Sequence, residues 1–101
     1  MAIVALAGLF FAGACQKRKP HSVVLAWHAP APRPGVMVKG YSIYRSTNQG
    51  GPYLRIASGI TTLSYTDDIV NNGTTYFYVV TAVDQNNRES KYSGETQAKI
   101  P

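Results

Sequence analysis

The sequence predicts an all-β chain folded as a two-sheet sandwich, and three observations predict it. The first is the run Thr75-Tyr76-Phe77-Tyr78-Val79-Val80-Thr81-Ala82-Val83. Tyr76, Tyr78, Val80 and Ala82 fall on one side and Phe77, Val79, Thr81 and Val83 on the other, the alternation of a strand in a packed sheet. The second is the lone tryptophan, Trp27, which shares one side of an earlier β-type run with Val23 and Leu25. The third is punctuation: turn residues recur about every 8 to 12 positions, and no segment keeps a helical period over three turns.

The chain has 101 residues, room for one domain large enough to bury a core without disulfides or metals. Its N-terminus is a separate matter. Residues 2–14 are almost continuously apolar. As a helix they would reach about 20 Å, short of the roughly 30 Å of a bilayer core. Length and the small residues Ala12-Gly13-Ala14 suit the apolar stretch and cleavage site of a signal peptide. Cleavage would leave Cys15, the single cysteine, at the head of the chain. Phe11-Ala12-Gly13-Ala14-Cys15 resembles the signal of bacterial lipoproteins, although Ala12 stands where leucine is commonest and no basic residue precedes the run. That resemblance implies acylation of Cys15, followed by a solvated basic tether at Lys17-Arg18-Lys19. An ordinary signal cut after Ala14 and an uncleaved N-terminus rank below it. The expected division is signal peptide 1–14, acylated cysteine and tether 15–21, and domain 22–101. The expected address is the bacterial cell envelope, lipid-anchored, or periplasmic or secreted if Cys15 is not acylated.

Within the domain, Val23 to Trp27 forms a strand that the proline-rich loop Ala29 to Gly35 stops, because proline cannot donate to a ladder. Gly40 to Arg45 is the next strand, with Tyr41 and Ile43 inward, and a turn at Asn48 to Pro52 leads to Tyr53 to Ile56. Leu63 and Tyr65 face inward on a short strand ending at Asp67-Asp68, which cap a turn. Asn72-Gly73 turns the chain into the long strand, Gln85 to Arg88 turns it back, and Thr96, Ala98 and Ile100 alternate along the last.

From His21 to Pro101 the motifs Leu25-x-Trp27, Gly40-Tyr41-x-Ile43-Tyr44-Arg45, Tyr65-x-Asp67, Val70-x-x-Gly73-Thr74-x-Tyr76, Val80-x-Ala82 and Ser93 resemble a fibronectin type III domain in order and spacing. The resemblance implies an immunoglobulin-like β-sandwich. It also implies that Trp27 packs between the sheets and that the Tyr76 hydroxyl closes a tyrosine corner on backbone a few residues upstream. The structural core expected is Trp27, Tyr41, Ile43, Tyr65, Val70, Tyr76, Tyr78 and Val80. The family's first strand has no counterpart between Cys15 and Trp27, so it is expected to be missing or vestigial. Val23 to His28 would then be a free edge open to pairing with another chain.

Function is less legible. The net charge of +5 comes from ten Lys and Arg against five Asp and Glu, but only Lys17-Arg18-Lys19 cluster, which argues against a nucleic-acid groove. His21 and His28 are too far apart on an extended segment to chelate a metal, adjacent Asp67 and Asp68 point to opposite faces, and no nucleophile or phosphate-loop motif is present. No cofactor, metal or catalysis is expected. Tyr44, Phe77, Val79 and Val83 are placed on the outer side of the sheet, either as a face for a protein or polysaccharide or as cross-strand pairs that merely stabilise it. The function expected is a non-catalytic, envelope-tethered interaction module; the alternative is a passive spacer or remnant of a larger surface protein.

Overall fold

The computed structural model describes residues 5–10, as a strand, and residues 21–101. Seven strands follow in order: β1 (Ala5–Phe10), β2 (Ser22–Trp27), β3 (Val38–Ser46), β4 (Leu54–Ile60), β5 (Ser64–Asp67), β6 (Thr75–Asp84) and β7 (Thr96–Lys99). They form a three-stranded sheet, β1-β2-β5, and a four-stranded sheet, β4-β3-β6-β7, with every pairing antiparallel. The all-β sandwich is as the alternation requires.

The layer between the sheets is largely apolar. Val23, Leu25 and Trp27 from β2 meet Tyr41 and Ile43 from β3 and Tyr76, Tyr78, Val80 and Ala82 from β6, all buried, with Ala98 and Ile100 at one side. Tyr65 and Val70 are half-buried against this cluster. The Trp27 and Tyr41 rings meet edge to face, centroids 5.4 Å apart, an arrangement that satisfies the ring quadrupoles. Leu63 differs from expectation. It is 45% exposed because β5 begins only at Ser64, and its carbonyl accepts the Trp27 N–H at 3.1 Å.

The tyrosine corner is closed: the Tyr76 hydroxyl accepts the Asn71 N–H at 2.9 Å. Gly73 makes the preceding turn at φ +76°, which favours glycine, and donates its N–H to the Ile100 carbonyl at 3.0 Å. Asp67 does more than the sequence implies. Its Oδ1 accepts the Ile69 N–H across a turn, and its Oδ2 takes the Arg45 guanidinium at 2.9 Å and the Tyr78 hydroxyl at 2.7 Å. This buried carboxylate therefore ties β5 of one sheet to β3 and β6 of the other.

The first strand is where expectation fails. β1 pairs with β2 along its whole length, from Ala5 opposite Trp27 to Phe10 opposite Ser22, so the strand is neither missing nor vestigial. Val23 to Trp27 is not a free edge, because β2 lies between β1 and β5. The physical reason is that hydropathy alone does not separate an apolar export signal from a buried strand of the same composition. Cys15, the stretch Ala12-Gly13-Ala14 and the basic tether lie outside the described residues.

Candidate functional site

The outer side of the four-stranded sheet carries the residues that the core does not use. In β3 and β6 strict alternation aims Ser42 and Tyr44, and Phe77, Val79, Thr81 and Val83, away from the inter-sheet layer, with Tyr44 opposite Val79 and Ser42 opposite Thr81. None of the four residues expected to form a binding face is fully open: Tyr44, Phe77 and Val83 are half-buried, and Val79 is 2% exposed. Val79 is therefore removed from any contact face.

The connection between β6 and β7 runs along this part of the sheet. Ser90 donates its N–H to the Ala82 carbonyl and Ser93 its N–H to the Val80 carbonyl, each at 2.8 Å, while their hydroxyls accept the Ala82 and Val80 amides at 2.9 Å. Hydroxyls thus stand in for a strand along the free half of β6. The connection carries Tyr92 onto Tyr44 at 5.2 Å between centroids, and Tyr92 meets Tyr53 at 5.2 Å, both edge to face. Tyr53 and Tyr92 were not anticipated from sequence, nor were the two carboxylates that hold the group.

Glu89 Oε2 accepts the Tyr44 hydroxyl and, at 2.6 Å, the Thr81 hydroxyl. Glu95 Oε2 accepts the Tyr53 hydroxyl and, at 2.7 Å, the Gly50 N–H. Burial first, then the hydrogen bond and charge of Glu89, push Tyr44 up to about 12; burial, then Glu95, do the same to Tyr53. At neutral pH both phenols therefore stay protonated and donate. Tyr92 is the exposed member, with half its surface in water.

Beside this group a groove of about 320 Å³ runs over β4, β3 and β6, lined by Lys39, Ser42, Arg55, Ser58, Asn87 and Glu89 among others. Lys39 donates to the Asn87 side-chain carbonyl. Asn87 sits at the β6 exit turn with φ 65°, a left-handed conformation that asparagine tolerates better than most residues. At the same turn Asp84 accepts the backbone amides of Arg88 and Asn86 and the Arg88 guanidinium. The Arg88 amide chiefly, against the effect of burial, holds its carboxyl below the usual range. Among the described residues no three His, Cys, Asp or Glu side chains gather to hold a metal, and no helix is long and apolar enough to cross a membrane.

A Fn3-like protein from Clostridium thermocellum, solved by crystallography, is 35% identical to this chain and superposes with a TM-score of 0.70 over 99% of this chain and 88% of its own. The chain belongs to the fibronectin type III family. The solution structure of a fourth FNIII domain from human, 20% identical, shares the fold with a TM-score of 0.73 over all of this chain and 78% of its own. No family model matches the sequence. Amylopullulanases share sequence with this fibronectin type III domain: that of Thermoanaerobacter thermohydrosulfuricus is 53% identical over 58 residues, and that of Thermoanaerobacterium saccharolyticum 46% identical over 59. The shared stretches span 57% and 58% of the chain but only 4% and 5% of those enzymes. The chain is thus similar to a small segment of each amylopullulanase.

Proposed function

We propose that this fibronectin type III domain is a non-catalytic interaction module whose contact face is the Tyr44-Tyr92-Tyr53 group on the outer side of the four-stranded sheet. The observation that carries the reading is the investment in that face: two carboxylates fix the tyrosines that flank the half-exposed ring of Tyr92, and two serine hydroxyls fix the connection that carries it. Rigid aromatic rings lose little entropy on binding, which suits them to recognition of a protein or a polysaccharide. The test is retention of a partner by the full chain, lost on Tyr92→Ser with the melting transition kept. Retention unchanged by that substitution contradicts the reading.

A second reading, a spacer inside a longer protein, draws on how small a part of the amylopullulanases the matched stretch is. A spacer retains nothing in the same experiment. We also propose export and acylation at Cys15, which would hold the module at the cell envelope. Removal of residues 1–14 would take β1 with it and open the edge of β2 to strand addition from Val23 to His28. The intact mass of the protein from membranes decides: a mass for residues 15–101 plus acyl groups supports anchoring, and an unmodified full-length mass contradicts it.

A further inference from the structure

Resting on that contact face, we infer that the groove bounded by Arg55, Glu89 and Asn87 takes a neutral polysaccharide chain, which continues onto the exposed ring of Tyr92. The chemistry of a sugar matches this surface in both of its parts. A pyranose has an apolar C–H face, for which an exposed and immobilised aromatic ring is the complement, and a rim of hydroxyls that each donate and accept.

The groove supplies both kinds of partner. Arg55 and Ser58 bring donors and Glu89 an acceptor. Both bonds that Glu89 makes to the sheet land on Oε2, and among the described residues none engages Oε1, which is left for a hydroxyl. Charge-assisted bonds of this kind are about twice as strong as neutral ones. The groove holds charges of both signs, Lys39 and Arg55 against Glu89, so a chain charged either way meets a like charge in it, whereas the hydroxyls of a neutral chain can serve all three. Glu89 also joins the two halves, because it lines the groove and anchors Tyr44, whose ring meets Tyr92. The relatedness to a segment of amylopullulanases is consistent with such a ligand.

The test is affinity electrophoresis of the full chain in native gels containing pullulan, with polygalacturonate as the anionic arm. The expected result is retardation by pullulan that weakens at least tenfold on Tyr92→Ser and on Glu89→Gln. Thr66→Ala, on the other sheet's outer side, keeps it, and all variants keep a cooperative melting transition well above the temperature of the gel. Absence of retardation by pullulan, retardation by polygalacturonate alone, or retardation indifferent to Tyr92 and Glu89 overturns the inference. If pullulan fails while a protein is retained through Tyr92, the polysaccharide falls and the contact face stands. If neither is bound, both fall.

Discussion

Two edge-to-face aromatic pairs with nearly the same geometry sit on opposite sides of the four-stranded sheet. Trp27 and Tyr41 meet inside at 5.4 Å and 61°, and Tyr44 and Tyr92 outside at 5.2 Å and 65°. Their surroundings set them apart. The inner pair is 3% and 5% exposed and touches apolar side chains from both sheets, so its contribution is burial. The outer pair is wet on one side, and its position comes from the Glu89 carboxylate on Tyr44, the serine-held connection that carries Tyr92 and the contact of Tyr92 with Tyr53. Aromatic contact alone therefore does not tell a core from a recognition face; the groups that hold the rings do.

The sharpest way to break the comparison is to truncate one ring of the inner pair. Trp27→Ala should cost about 3 to 5 kcal/mol, a large share of the stability of a domain of this size, measured by urea denaturation followed by far-ultraviolet circular dichroism. Next comes the carboxylate that joins the sheets. Asp67→Ala leaves Arg45 and Tyr78 without their partner, and should cost about 3 kcal/mol, the low end for a broken buried pair, because Arg45 keeps 22% of its side chain exposed. Tyr76→Phe removes only the acceptor for the Asn71 N–H and should cost about 1 to 2 kcal/mol, read from the same curves.

On the outer side the expected changes are in ionisation more than stability. Tyr44 is neutral when protonated and its folded pKa is raised to about 12. The resulting stabilisation is present below the ordinary tyrosine value, near 10, and is lost as pH rises through about 12. Glu89→Gln should bring the Tyr44 step down toward the ordinary value, seen as tyrosinate absorbance at lower pH in an alkaline titration.

The same contrast explains what could be read from sequence. Trp27, Tyr41, Ile43, Tyr76, Tyr78 and Val80 announce themselves by alternation, since one face of each strand must be apolar for two sheets to close on it. Tyr76 is further marked by its distance from the Asn72-Gly73 turn, which fixes where its hydroxyl arrives. The outer site had no such signal. Tyr92, Glu89 and Glu95 lie in a connection without alternation, and its course is set by Ser90 and Ser93 bonding to Ala82 and Val80. Those bonds appear only once β6 exists. Alternation puts Val79 on the outer side of β6, but its 2% exposure does not follow from alternation. Ala5–Phe10 is the opposite case, a strong signal compatible with two fates. An apolar run satisfies an export pathway and a sheet edge equally well, and only the register with β2 shows the second.

The measurement that tests the division between the two pairs most directly is the unfolding free energy of Tyr92→Ser in urea. If the outer rings serve recognition, the variant loses at most about 2 kcal/mol, the size of its two aromatic contacts with Tyr44 and Tyr53. A loss near that of Trp27→Ala would contradict the account and make the outer tyrosines part of what holds the sandwich together.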